Sequence, residues 1–227
     1  MKVLVACEES QRVCIAFRKR GHEAYSADIQ EPSGGHPEWH VIGDVLKILQ
    51  GGRFRTMDGQ AHKVERWDLI IAHPPCTYLS NAGVCRLLDS DHQIKDQRRY
   101  KKALKAKAFF MRFLTADCDR ICVENPAPIK MLGLPKYTQI IEPYQFGHPW
   151  KKRTCLWLRG LDNLEPTEIV KPESCWVYTT GRTCRTKLWG ERGARTPKDR
   201  SKTFEGIAEA MAEQWTKPQK QLTLGIF

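Results

Sequence analysis

Two cysteines separated by two residues occur nowhere in this chain, and that absence removes the commonest zinc frameworks. No apolar run approaches the ~20 residues needed to span a bilayer, so no membrane partner is expected. No leader-like stretch is seen either: Met1-Lys2 leads straight into the apolar VLVA. Nine cysteines, an odd number, then read as reduced thiols of a cytoplasmic protein in a bacterial or phage-infected host cell, with no metal. Carboxylates are also scarce: 26 Asp and Glu face 37 Lys and Arg, a formal net charge of +11 in 227 residues. That excess favours a polyanionic partner, most simply nucleic acid, over an acidic one. A basic surface that is merely solvated is the alternative.

What is present alternates. KVLVAC (2–7), EAYSAD (23–28), WDLIIAH (67–73), RICVEN (120–125) and CLWLRG (155–160) read as buried strands. QRVCIAFRKRG (11–21) reads as a helix stopped by Gly21, and residues 92–115 as a long basic helix with FFMRFL at its buried end. Residues 40–52 suggest strand, turn and short helix, and the polar stretch 53–66 a surface loop. SKTFEGIAEAMAEQW (201–215) is helical, with Phe204, Ile207, Ala208 and Met211 on one face. This pattern predicts an α/β fold with a mainly parallel sheet and helices on both faces. Residues 161–200, rich in Pro, Gly, Thr and Arg, carry little periodicity.

In such sheets ligands bind beyond the carboxyl ends of the strands. Cys7, Asp28, Asp44, Cys76 and Glu124 all fall at or just past such ends. Asp28 lies where an acid accepts bonds from a ribose diol. Asp44 suits an adenine amino group, or equally a helix N-cap. Cys76 follows two prolines in HPPCTYLSNAG (73–83), a rigid turn. A helix N-terminus aimed at its sulfur would lower the thiol pKa.

These residues resemble the DNA (cytosine-5) methyltransferases. Pro74-Pro75-Cys76 matches that family's nucleophile loop, and Glu124-Asn125 in VENP its second signature. GDV (43–45) matches its adenine-contacting position and Asp28 its ribose-binding acid. FGHPWKKRTCLWL (146–158) is similar to its Y-G-x-P-Q-x-R-x-R stretch, and the 201–215 helix to its closing motif. The family's motif arginines fall on Lys152 and Thr154, with Arg153 between. Its glycine-rich first turn is replaced by ACEESQRV, without glycine, so the cofactor's methionine end must be recognised differently.

The resemblance implies a compact, phage-like member with a Rossmann-like S-adenosylmethionine-dependent methyltransferase fold. It implies a catalytic domain over 1–160, a short basic target-recognition region over 161–200, a helix returning to the catalytic domain over 201–216, and a tail over 217–227. The partner is DNA and the methyl donor S-adenosyl-L-methionine. Cys76, Glu124, Asn125, Lys152 and Arg153 would be catalytic. Cys7, Glu8, Asp28, Ile29, Asp44, Val45 and Pro75 would bind the cofactor. A thiolate adding to cytosine C6 makes C5 nucleophilic, and a protonated Glu124 on N3 draws the electrons. Burial is expected to supply that protonation. The base must be flipped out of the stack. Basic residues along 92–115, and Arg182, Arg185, Lys187, Arg192, Arg195, Lys198 and Arg200 around Trp189, suit phosphate contacts. A catalytically inactive DNA-binding module of the same fold, or a methyltransferase acting on RNA or deoxycytidine nucleotide, stays open. The tail Gln221–Phe227 is similar to peptides that bind the bacterial sliding clamp, with a packed or frayed end as the alternative.

Overall fold

The computed structural model describes residues 1–176 and 196–217. In chain order it contains β1 (Lys2–Ala6), α1 (Arg12–Lys19), β2 (Glu23–Asp28), β3 (His40–Ile42), β4 (Gly52–Arg55), β5 (Ala61–Val64) and β6 (Leu69–Ala72). These are followed by α2 (Gln97–Leu114), β7 (Ile121–Asn125), β8 (Gln139–Ile141), β9 (Trp150–Lys151), β10 (Thr154–Arg159), β11 (Ser174–Cys175), α3 (Pro197–Ser201) and α4 (Glu205–Gln214). Seven strands form one mostly parallel mixed sheet in the order β3-β2-β1-β6-β7-β10-β8. Only β10 runs antiparallel to its neighbours, β7 and β8.

Alternation along each strand divides the apolar residues between two faces. Val3, Val5, Leu69, Ile71, Cys122 and Leu156 pack with α1 and α4 on one side. Leu4, Ala6, Ile70, Ala72, Ile121, Val123, Cys155 and Trp157 pack with α2 on the other. The sheet is thus an α/β sandwich with helices on both faces, as the alternating pattern predicts. Full burial of each large apolar side chain contributes about 1.5–3 kcal/mol. β1 sits at the reversal point of the chain: β2 and β3 extend the sheet to one side of it, β6 and β7 to the other. A crevice opens at such a switch point, beyond the carboxyl ends of the strands.

The structure corrects several expectations. Residues 53–66 are not a loop. β4 and β5 pair as an antiparallel hairpin that turns Phe54 and Val64 into the core. Phe54 there meets Tyr25, His62 and Trp67 at ring-centroid distances of 5.0–5.9 Å. The expected short helix near residue 45 is a single 3-10 turn, Val45–Lys47. α2 begins at Gln97 rather than 92, because the Asp96 carboxylate accepts from the Arg99 amide at 2.8 Å and caps the helix there. Seven described cysteines are free, but Cys175 is disulfide-bonded, so the thiols are not all reduced.

No helix among the described residues is long and apolar enough to cross a membrane. The hairpin's core role is testable. Phe54→Ala should lower the free energy of urea unfolding by about 3–5 kcal/mol. A true surface-loop residue would change it by less than about 0.5 kcal/mol.

Candidate functional site

The chain leaves β1 without glycine, yet it makes a tight turn. Cys7 and Gln11 take left-handed conformations, φ 59° and 57°. Glu8 explains how this is tolerated. Its buried carboxylate accepts the Val13 amide at 2.7 Å and the Cys14 amide at 3.2 Å, filling the amino end of α1. A carboxylate satisfies the unpaired amides and opposes the positive end of the helix dipole. Burial nevertheless raises its pKa, with His73 and the two amides pulling it back down. Gln11 is buried behind the turn, and its amide bonds Ser26 Oγ and the His36 carbonyl.

Cys7, Asp28 and Asp44 converge on this rim. Burial, and then the charges of Asp28 and Asp44, hold the Cys7 thiol far above its ordinary pKa. Asp28 accepts the Gln30 amide through one oxygen, and the adjoining Ile29 is exposed. Asp44 accepts the Leu46 amide at 3.0 Å, so it does serve as an N-cap. The Val45 side chain is buried in the core. Glu9, nearly fully buried, makes no hydrogen bond through either carboxylate oxygen; Lys198 Nζ forms an ion pair with it at 3.3 Å.

The turn carrying Cys76 leaves β6 one strand away. Pro74 and Pro75 have no amide hydrogen to close it. Asn125 supplies the missing donor: its buried Nδ2 reaches the Pro74 carbonyl at 2.7 Å. Beyond the turn, the Ile129 amide donates to the Leu79 carbonyl and the Asn81 amide to that of Ala127. The segments following β6 and β7 are therefore fastened together, with Cys76 on one and Glu124 on the other.

β10 runs down the sheet beside β7 in the opposite sense, pairing Cys155 with Asn125. Its first residues consequently start at the rim where β7 ends, which brings Lys152 to Glu124. Lys152 Nζ donates to the Lys202 carbonyl at 3.2 Å and lies 5.9 Å from the Phe204 ring. Its charge acts on both Glu124 and Cys76. Burial lowers the Lys152 pKa, against the opposing pull of Glu124. Arg153 is exposed, and its charge acts on Glu142 and Cys155 instead. Pro75 is exposed beside the thiol.

The sequence reading passed over His73. Its Nδ1 lies 3.0 Å from Glu124 Oε2, both side chains being mostly buried, while its Nε2 is buried without a partner. Burial pushes the Glu124 carboxyl up, but the His73 bond and the Lys152 charge outweigh it, and the pKa falls below the usual carboxylate range. The expectation that burial alone protonates Glu124 is therefore corrected for the free protein. Cys76 departs the other way. Its residue surface is open to solvent, but protein crowds the sulfur. That desolvation, then the Glu124 charge, raises the thiol pKa, with Lys152 and Arg200 opposing. No helix of length follows the turn to lower it: Asn81–Arg86 is a 3-10 element and α2 starts at Gln97.

Among the described residues, no group of three or more His, Cys, Asp and Glu is arranged to hold a metal. Residues 182–195 of the basic segment, Trp189 and the tail from 218 onward lie outside the described residues. No family model and no curated protein matches the chain.

The charges around Cys76 set a titration order. Alkylation of Cys76 by iodoacetamide, followed by peptide mass spectrometry, should have its midpoint above that of an ordinary thiol. Glu124→Gln should shift the midpoint to lower pH by removing a like charge. Lys152→Met should shift it higher. Movement in the same direction for both variants would contradict the arrangement.

Proposed function

We propose that this protein is a DNA cytosine-5 methyltransferase using S-adenosyl-L-methionine. The observation that carries the reading is the grouping of Cys76, Glu124 and Lys152, with Asn125 holding the proline turn. A nucleophile, a carboxyl for a ring nitrogen and a cation for a carbonyl oxygen are what addition to a pyrimidine requires.

Residues at the switch point support the cofactor reading. Asp28 keeps one oxygen free for a diol, Ile29 offers an exposed apolar face, and Asp44 stands near with Cys7 between. Glu9 is a buried carboxylate paired with Lys198, so a ligand ammonium would have to take the place of that lysine. The amino end of α1 is filled by Glu8, so a ligand carboxylate would find its donors elsewhere. When bound, S-adenosylmethionine supplies an electrophilic methyl group.

Cys76 adds to C6 of a flipped-out cytosine, C5 takes the methyl group and then loses its proton to a base, and the C6–S bond breaks to release Cys76 and the methylated base. Lys152 would meet the exocyclic O2 of the base and offset the charge gathered on the ring. Glu124 is held ionised in the free protein, and a carboxylate against the N3 lone pair is repulsive. Base binding therefore requires a proton between Glu124 and N3. The rate then needs a thiolate and a retained proton at once, which gives a bell-shaped pH profile.

One observation favours the inactive DNA-binding reading: the carboxylate of Glu8 occupies the helix end that anionic ligand groups commonly use. The deciding experiment is methyl transfer from labelled S-adenosylmethionine to cytosine-rich DNA, with Cys76→Ser beside the parent. Incorporation at C5 by the parent and none by the variant is expected. Cofactor binding without transfer to any DNA would direct the reading to RNA or deoxycytidine nucleotide. Intact DNA binding without cofactor binding would select the inactive module.

A further inference from the structure

α2 carries seven cations in eighteen residues (Arg98, Arg99, Lys101, Lys102, Lys105, Lys107 and Arg112) and no carboxylate. Its apolar side is spent on the core through Ala103, Phe110 and Phe113. Arg98, Lys101, Lys102 and Lys105 are exposed on its first turns. Spacings of three and four residues make them helix-surface neighbours, so they repel one another. Among the described residues, none of the α2 cations forms a salt bridge. Lys19, Arg53 and Arg55 also lack a salt bridge among the described residues but are spread over α1 and the hairpin, while Arg66 pairs with Asp117 and Asp119, Lys63 with Glu65 and Lys217 with Glu213. An ordinary solvated helix would mix signs along this face.

Position adds a second argument. The helix is tied to the turn that carries Cys76. Arg99 Nη2 donates to the Thr77 carbonyl at 2.9 Å, and the guanidinium carbon lies 5.0 Å from the Tyr78 ring centre. Lys102 Nζ lies 5.6 Å from the same ring. Arg99 Nε is buried with no partner. The cationic stripe therefore begins beside the thiol, and from Arg98 to Lys105 it rises about 10 Å.

We propose that the exposed face formed by Arg98, Lys101, Lys102 and Lys105 on the first half of α2 is a docking surface for the phosphodiester backbone of DNA, running away from the Cys76 turn. A duplex presents about one negative charge per ~1.7 Å of its axis, which matches an uncompensated stripe of this density. The surface deepens the proposed function, since it rests on DNA as the partner. It does not rest on methyl transfer.

The test is the affinity of a short labelled DNA duplex, followed by fluorescence anisotropy across salt concentrations without cofactor. The protein is the full chain carrying Arg98→Glu, Lys101→Glu and Lys105→Glu. A second triple, Lys19→Glu, Arg53→Glu and Arg55→Glu, makes the same charge change on α1 and the hairpin. The α2 triple should bind at least ~10-fold more weakly at moderate salt, and its slope of log affinity against log salt should fall by about 3, near 0.9 per lost phosphate contact. The second triple should keep most of the slope. Equal losses from both triples would overturn the proposal, as would an α2 effect seen on RNA of the same sequence but not on DNA. If the reversed helix fails to fold by circular dichroism, the Arg98→Gln, Lys101→Gln and Lys105→Gln triple takes its place, with the same ordering expected. Loss of DNA binding in the α2 triple of a parent that transfers no methyl group would leave the surface standing and remove the enzymatic reading. Methyl transfer with DNA binding indifferent to α2 would do the reverse.

Discussion

A single buried hydrogen bond, from Asn125 Nδ2 to the Pro74 carbonyl, organises the carboxyl edge of this protein. Two consecutive prolines make a stiff turn but deprive it of donors. The turn must therefore borrow one, and it borrows from the strand next door. The loan fixes the distance between two segments that are far apart in sequence. A thiol comes to rest near a carboxylate, and the antiparallel strand beside them delivers Lys152 to the same place.

That grouping is electrostatically uneasy. A mostly buried carboxylate, a desolvated thiol and a desolvated amine each disfavour their charged forms when alone. Together they compensate in part: Lys152 and His73 hold Glu124 ionised, and Glu124 in turn opposes ionisation of Cys76. In the free site the Cys76 thiol is thus pushed toward its protonated form and the Glu124 carboxyl toward its ionised form. Under the proposed reading, addition to a pyrimidine needs the reverse, and binding of the base would have to redistribute the protons.

Much of the sheet was legible because buried parallel strands are continuous apolar runs, and VLVA and LIIA hardly admit another reading. The rim residues followed, since strand ends are visible wherever such runs stop. The hairpin escaped because GRFR and AHKV each bury one residue, Phe54 and Val64, too few for a period to show. His73 stood in plain view beside the prolines, but its role depends on Glu124, 51 positions away. The same holds for choosing between Lys152 and Arg153. Adjacent cations are indistinguishable in sequence, and only the antiparallel course of β10 separates them. The direction of the Glu124 and Cys76 shifts needed the complete set of neighbouring charges.

Glu8 has a bearing on how the molecule behaves when empty. In many nucleotide-binding turns the helix amides wait for an anion from the ligand, so folding and binding share a term. Here an internal side chain completes the helix, and the turn is finished before any ligand arrives. The amino end of α1 is accordingly satisfied within the chain itself, and an anion approaching it would meet a carboxylate rather than open amides.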